Sequence, residues 1–216
     1  MTGVVPNPTF IFRITHLDNL AGILQLGGLF APNNQPPNAP VYHPIHHASI
    51  QNQRAATPVV CGPMGNVHDY VPFYFAPRSP MLCSLQRGNV EGYNGGPAPI
   101  IYLVTTIQNV VGAGLRYVFT DGHGIMQFTS YYDDLVHLNE IDWPLMEARY
   151  WADTQEDNDR SRRRQAEFLI HASCPWSVIL CIGVYNQPTK TRVESLLQAS
   201  GIGHVPPVEV RPNWYY

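Results

Sequence analysis

One carboxylate stands at the start of an apolar segment, where an acidic side chain is costly unless it has a partner or a task. Glu167 follows a run of three arginines, residues 162–164, and precedes Phe168-Leu169-Ile170. These three apolar residues favour a half-buried strand, so the Glu167 side chain must lie in or beside the core. Two interpretations are open: Glu167 forms an ion pair with Arg163 or Arg164 at a strand edge, or it serves as a catalytic carboxylate.

A second group of polar residues lies on a strand near the N-terminus. Residues 10–14 alternate and are rich in β-branched and aromatic types, which predicts a strand that carries Arg13. Asp18 is a suitable N-cap for a helix that ends at Gly27-Gly28. A strand that runs into a short helix leaves its last polar side chains at a rim, where they can meet a ligand.

Two further segments belong with these. Residues 68–81 form an aromatic strand interrupted by Pro72, and proline within a strand predicts an edge or a bulge rather than the middle of a sheet. A long loop rich in Pro, Asn and His begins near Ala31 and closes at a possible helical turn that carries Arg54. Loops of this length inside a compact domain are usually functional or disordered.

Together these segments resemble DarT, the family of bacterial toxins that attach ADP-ribose from NAD to bases of single-stranded DNA. The resemblance covers the full length and is most specific in residues 14–20, 68–81, 119–124 and 165–169. It implies one domain over residues 1–216 with an ADP-ribosyltransferase-like α+β fold, in which a split mixed β-sheet is surrounded by peripheral helices. The irregular alternation of predicted elements, without repeated βαβ units, also favours α+β.

The resemblance also implies roles for individual residues. Glu167 matches the family's catalytic glutamate, which orients the NAD ribose and offsets the positive charge that develops on it. Arg54 matches the other essential residue, expected to contact the dinucleotide and to polarise the acceptor base. The remaining residues that the resemblance assigns to the NAD site are Arg13, which replaces the His of several members, and Ile14, Thr15, Gly22, Phe30 and Tyr74.

The acceptor site is expected to be small and local. A net charge of −3 argues against a generally basic nucleic-acid surface. Arginines clustered near the predicted site could contact DNA phosphates; these are Arg78, Arg160, Arg162, Arg163 and Arg164. The alternative is a solvated, charged connection whose arginines pair with the acidic residues between 153 and 159.

Other site classes are poorly supported. His43, His46 and His47 lack helical spacing and a nearby carboxylate or Cys, so no metal is expected. Phosphate-binding and Rossmann glycine motifs are also missing, so NAD has to be held as a co-substrate outside a Rossmann frame. Four cysteines without metal or disulfide spacing, and no membrane or secretory segment, predict a soluble cytoplasmic protein.

The remaining chain supplies the framework. Strands are predicted at 100–104, 117–120 and 208–210, with a β-rich stretch at 176–184. Helices are predicted at about 107–111 and 191–199, and as two short helices within 129–151 that Pro144 separates and whose Tyr150 packs inward.

The leading hypothesis is an NAD-dependent DNA ADP-ribosyltransferase, with thymidine favoured as acceptor by the resemblance. The resemblance further implies a toxin whose partners are single-stranded DNA and a macrodomain antitoxin of the DarG type, and we expect a monomer without membrane contact. Alternatives are modification of guanine in DNA, of RNA or of protein, hydrolysis of NAD without transfer, and a catalytically silent nucleic-acid-binding module. The presence of both Glu167 and Arg54 counts against the silent module.

Overall fold

A mixed β-sheet organises the chain in the computed structural model, which describes residues 3–216. The strands are β1 (Phe10–His16), β2 (Gly28–Phe30), β3 (Tyr70–Tyr74), β4 (Ile100–Thr106), β5 (Tyr117–Thr120), β6 (Tyr131–Tyr132), β7 (Glu167–His171), β8 (Ser173–Pro175), β9 (Cys181–Val184) and β10 (Val208–Val210). The α-helices are α1 (Leu20–Gln25), α2 (Ala48–Ala56), α3 (Pro80–Gln86), α4 (Ile107–Gly112), α5 (Trp143–Glu147), α6 (Arg160–Arg163) and α7 (Gln187–Ser200). None of these helices combines the length and the apolar character needed to cross a bilayer.

Eight strands form the main sheet in the order β10-β9-β4-β1-β3-β7-β5-β6, and β2 pairs with β8 in a separate ladder. The β10–β9 pair is parallel and the other pairs are antiparallel. The predicted α+β class with a mixed sheet is therefore confirmed. Because β4 is buried along its whole length, its apolar residues pack against elements on both faces of the sheet.

The sheet splits between β1 and β3. β1 pairs with β4 along its full length, from Phe10↔Thr106 to His16↔Ile100. With β3 it shares only the pair Phe12↔Tyr74, whereas β3 continues in register with β7. The two halves of the sheet therefore diverge beyond Phe12, which is the split that the resemblance implied.

Pro72 lies at this split and not at an outer edge. Its carbonyl accepts a hydrogen bond from Arg13 Nη1 (3.0 Å), so that side of the Pro72 backbone faces β1. In a strand, the N and the C=O of one residue point to the same side, so the Pro72 nitrogen also faces β1. No residue of β1 is paired with Pro72, so the missing N–H leaves no hydrogen bond of the sheet unmade. The sheet therefore tolerates proline in an inner strand because the neighbouring strand has moved away.

Several predicted elements are confirmed and some are wrong. β4, α4, β5, β10 and the helical turn that carries Arg54 are present. Asp18 is not an N-cap; His16 caps a 3-10 turn at Leu17–Asn19 by accepting the Asp18 N–H on Nδ1 (3.2 Å). The predicted helices in 129–151 are replaced by β6, a 3-10 segment at Leu135–Glu140 and α5, and Tyr150 is 76% exposed rather than packed inward.

Candidate active site

A buried ion pair lies at the split of the sheet. Arg54 Nη1 is 2.7 Å from Glu167 Oε1, and the two side chains are only 7% and 1% exposed. α2 supplies Arg54, and β7 supplies Glu167 at its first position, opposite Tyr74 in the β3 register. The partner of Glu167 is therefore a residue 113 positions away, and the alternative of an edge ion pair with Arg163 or Arg164 is wrong.

The second oxygen of the glutamate is also fixed. Gly124 donates its N–H to Glu167 Oε2 (3.0 Å), and Tyr131 donates its hydroxyl to the Gly124 carbonyl. The Glu167 N–H in turn donates to Thr120 Oγ1 (3.1 Å). A Cβ on residue 124 would lie 2.8 Å from Glu167 Oε2, so this close approach requires glycine. The carboxylate is thus held in one orientation by Arg54 on one oxygen and Gly124 on the other, from two distant parts of the chain.

A cavity of about 750 Å³ opens beside this pair. It is within the size range of small-molecule sites. Of the residues predicted for the NAD site, the cavity wall contains Arg13, Ile14, Thr15, Phe30, Arg54, Tyr74 and Glu167. The structure therefore brings these predicted residues, from β1, β2, α2, β3 and β7, to one surface.

Gly22 is the exception. Its position is filled by the long loop: a Cβ there would lie 2.5 Å from Cγ of Pro40. The glycine therefore permits the loop to pack on α1, and the predicted approach of NAD to the Gly22 backbone stays a prediction.

The cavity contains positive charge that lacks a counterion. Arg13 Nε and Arg54 Nη2 are buried without a hydrogen-bond partner, as is Gln35 Oε1 on the same wall. Burial and, secondly, the nearby Arg54 lower the pKa of Arg13 to about 10. Burial alone would lower the pKa of Arg54, but the adjacent Glu167 carboxylate raises it above its ordinary value. Both arginines are therefore cations at neutral pH, and only Arg54 has a carboxylate beside it.

The long loop, residues 31–47, forms one side of the cavity and is attached to the N-terminal strand and helix. His43 N–H donates to Asn19 Oδ1 (2.6 Å), and Asn19 Nδ2 donates to the His43 carbonyl (3.0 Å). The His16 and His43 rings stack 4.0 Å apart at 11°. Asp18 lies close enough to form, with these two histidines, a cluster of three possible metal ligands. Two stacked and nearly parallel imidazole rings, however, cannot both point an in-plane nitrogen lone pair at the same metal ion.

His123 is a cavity residue that was not selected from the sequence. It lies between two glycines in the turn after β5, next to the Gly124 that contacts Glu167. Burial lowers the pKa of His123, Glu167 opposes this shift, and Arg54 adds to it, so the imidazole is neutral at pH 7. The sequence feature that could identify His123 as a site residue is its position in a glycine turn directly after a strand. Tyr74 is also affected, since burial and then Glu167 raise the pKa of its hydroxyl.

The arginine run before Glu167 is used inside the protein. Arg164 is buried and donates to the carbonyls of Leu145, Met146 and Pro77, which contradicts its predicted contact with DNA phosphate. Arg162 and Arg163 pair with aspartates in the folded chain, and their predicted phosphate contacts stay predictions. The ion pairs join Arg162 to Asp121 (3.1 Å) and Asp159 (2.7 Å), and Arg163 to Asp142 (3.2 Å) and Asp157 (2.5 Å).

These arginines therefore order the segment that leads to Glu167. Arg162 Nη1 also reaches Thr129 Oγ1 (3.3 Å), so it connects both ends of the 121–130 loop. Arg160 donates to the carbonyls of Ala152 (3.1 Å) and Tyr150 (2.9 Å). Arg78 differs from Arg162 and Arg163, because among the described residues it forms no ion pair and its buried Nε has no hydrogen-bond partner. The predicted DNA contacts of Arg160 and Arg78 stay predictions.

Comparisons with known proteins agree with this geometry. The family model described as "DarT: ssDNA thymidine ADP-ribosyltransferase, DarT" matches residues 12–216. A DNA ADP-ribosyl transferase of Thermus aquaticus is 42% identical over 211 residues, which are 98% of this chain and 90% of that protein. The solved structure of Thermus sp. 2.9 DarT in complex with ADP-ribosylated ssDNA is 42% identical, covers 100% of each chain and has a TM-score of 0.93. The same DarT in complex with NAD⁺ is 40% identical, covers 99% of this chain and 100% of that one, and has a TM-score of 0.87.

Proposed function

Because this chain belongs to the DarT family of ssDNA thymidine ADP-ribosyltransferases, we infer that it transfers ADP-ribose from NAD to a thymidine base of single-stranded DNA and releases nicotinamide. The observation that carries this proposal is the buried Arg54–Glu167 pair beside the unpartnered Nε of Arg13. A fixed anion next to an uncompensated cation suits a substrate that has both a negative pyrophosphate and a sugar that becomes positive during reaction.

NAD fits the chemistry of the cavity wall. Its pyrophosphate is a partner for the buried donors Arg13 Nε and Arg54 Nη2, because guanidinium groups form strong, charge-assisted hydrogen bonds with phosphate oxygens. Tyr74 and Phe30 line the same cavity and offer aromatic surface to the rings of the dinucleotide. The roles proposed for Ile14 and Thr15 are to shape the wall next to Arg13.

Glu167 acts on the ribose. When the bond between nicotinamide and ribose breaks, its electron pair leaves with nicotinamide and positive charge develops on the ribose ring. A carboxylate fixed by Arg54 and Gly124 before the reaction needs no reorganisation to offset this charge. Its remaining lone pairs are available to accept a hydrogen bond from a ribose hydroxyl.

The acceptor must lose a proton. In thymidine, N3 is the ring nitrogen that carries a hydrogen, so a bond from N3 to the ribose carbon releases that proton to a base. Arg54 cannot take it, because Glu167 raises the pKa of an already basic guanidinium. His123 is neutral and lines the cavity, and we assign it the role of proton acceptor, with Arg54 polarising the thymine carbonyl.

The biological setting belongs to the same proposal. We propose that the chain is the toxin of a toxin–antitoxin pair, with single-stranded DNA as target and a DarG-type macrodomain as antitoxin, and that it acts as a monomer. Membership of the DarT family supports the toxin role and the single-stranded DNA target. Co-purification with a co-expressed macrodomain protein, and light scattering of the free chain, test the partner and the monomer.

The central test uses purified protein, NAD and oligonucleotides that contain a single thymine. We expect each modified strand to gain one ADP-ribose, with one nicotinamide released per strand, and expect no product from a matched strand without thymine. Glu167→Gln serves as the control for contaminating activity. Release of nicotinamide without a change in DNA mass would replace the proposal with NAD hydrolysis, and modification of a guanine-only strand, RNA or protein would replace the acceptor.

A further inference from the structure

A second cleft begins where β3 ends. It has a volume of about 810 Å³, and residues 75–78, which directly follow Tyr74, form part of its wall. Phe12, the β1 partner of Tyr74 in the sheet register, also lines it. The cleft is therefore adjacent along β3 to the cavity that contains Glu167. We call it the arginine cleft, after Arg78, Arg149 and Arg164 in its wall.

Arg78 is held in an unusual conformation at this cleft. Its φ of 58° lies in the left-handed region, which is disfavoured for residues with a side chain. Two tyrosines fix it there: the Arg78 N–H donates to the Tyr102 hydroxyl (3.1 Å), and the Tyr216 hydroxyl donates to the Arg78 carbonyl. The guanidinium lies 4.6 Å from the centre of the Tyr216 ring, and its buried Nε has no partner. A backbone strain maintained by dedicated contacts indicates a functional position.

The charge of the cleft is opposite to that of the whole chain. Arg78 and Arg149 have no carboxylate within 4.0 Å among residues 3–216. Glu147 is the acidic residue in the wall, against three arginines. The chain as a whole carries −3. Guanidinium groups without a carboxylate partner therefore concentrate here, whereas Arg162 and Arg163 are paired with aspartates.

Aromatic side chains accompany the arginines. Phe10, at the start of β1, is 45% exposed and lines the cleft, and Phe12, Trp214 and Tyr216 extend the aromatic wall. Flat aromatic surface beside cationic groups is the combination that binds single-stranded nucleic acid, because bases stack on the rings and phosphates pair with the arginines.

We propose that the arginine cleft binds the nucleotides that flank the target thymidine, with phosphates on Arg78 and Arg149 and a base stacked on Phe10. This inference rests on the proposed function, since it extends the acceptor strand from the reaction centre along the end of β3. The target base enters the cavity at Glu167 and His123, and its neighbours occupy the cleft.

Binding of a fluorescent 12-nucleotide strand, measured against salt concentration, tests the proposal. For single strands, the slope of log affinity against log salt changes by about 0.7 per phosphate contact. The double variant Arg78→Gln/Arg149→Gln should therefore show a slope smaller by about 1.4 than the unmodified protein. The matched control, Arg192→Gln, removes an exposed arginine of α7 outside both cavities and should leave the slope unchanged. The KM for NAD should stay the same in both variants.

A crosslinking measurement covers the aromatic part of the proposal without any substitution. With 5-iodouracil placed one to three nucleotides from the target thymine, illumination should attach the strand to the peptide that carries Phe10 or to the C-terminal peptide with Trp214 and Tyr216. An unchanged salt slope in the double variant, or crosslinks confined to other peptides, would overturn the cleft while DNA modification by the unmodified protein still supported the proposed function. Absence of DNA modification by the unmodified protein would remove the proposed function and the cleft together.

Discussion

Replacing Glu167 by Gln should damage stability and catalysis at once, by separate amounts. The substitution keeps the shape of the side chain and an oxygen for the Gly124 N–H, but it removes the charge opposite Arg54. Breaking a buried ion pair by neutralising one member costs roughly 3–5 kcal/mol, because the other charge stays buried without compensation. In a chain of 216 residues, 1 kcal/mol corresponds to about 2–4 °C in Tm. We therefore expect Tm to fall by about 6–20 °C.

The catalytic loss has a different origin. Removing one preorganised group that stabilises charge in a transition state lowers kcat by about 10²–10³. A double variant separates the two effects: Arg54→Met added to Glu167→Gln removes the uncompensated cation. Because neutral, well-packed replacements of buried ion pairs are often as stable as the pair, most of the lost Tm should return while transfer stays absent.

Scanning calorimetry and single-turnover transfer to a thymine-containing strand, below the Tm of each variant, give both numbers. A Tm for Glu167→Gln within about 2 °C of the unmodified protein would refute the claim that the pair is energetically important. Recovery of transfer in the double variant would refute the assignment of Glu167 and Arg54 to the reaction.

Four further substitutions each test the role of a single residue. Arg54→Lys should not restore transfer, since a point charge cannot hold Glu167 and present a second donor to substrate; full activity in the same assay would show that charge alone suffices. Gly124→Ala places a Cβ 2.8 Å from Glu167 Oε2 and should reduce kcat more than KM for NAD in steady-state assays. Because burial lowers the pKa of His123 below its ordinary 6.5, stability and transfer should both be retained above pH 6.5 and decline as the pH falls through the lowered value; pH profiles should flatten in a His123→Gln variant. Arg164→Gln removes donors to three buried carbonyls and should lower Tm without changing the salt dependence of DNA binding, which thermal scans and binding titrations would check together.

Local chemistry in the sequence was sufficient to predict most of the sheet. β4 and β5 consist almost entirely of β-branched and aromatic residues with turn residues beside them, so their type depends little on distant contacts. The segment 129–151 was mispredicted because helical spacing of apolar residues there reflects 3-10 turns and a short α5 that begins with Pro144 near its first position. Apolar spacing alone does not distinguish α-helices from 3-10 turns over the same core, and Pro144 lies in the first turn of α5 instead of separating two helices.

The candidate site was predictable in its residues and not in its pairings. Glu167 was identified because a carboxylate before an apolar strand is unusual, yet its partner Arg54 lies 113 residues away, and no local pattern reports such a distance. For the arginines 162–164 the sequence left two interpretations open, phosphate binding and pairing with the acidic residues between 153 and 159. Arg162 and Arg163 do pair with Asp159 and Asp157, and they also pair with Asp121 and Asp142, which no local pattern indicates.

One buried side chain, Arg54, both attaches α2 to the rest of the protein and pairs with Glu167. Arg54 is the one buried residue of this helix, and the loop along the cavity runs directly into it. The helix is therefore anchored through the same guanidinium that pairs with Glu167, although His68 also contacts Gln51 (3.2 Å). A substitution or an inhibitor that removes the Arg54–Glu167 contact should therefore loosen the packing of the cavity wall as well as slow the reaction. The two effects depend on one contact but can be separated, because a neutral pair at these positions should restore the packing and not the transfer.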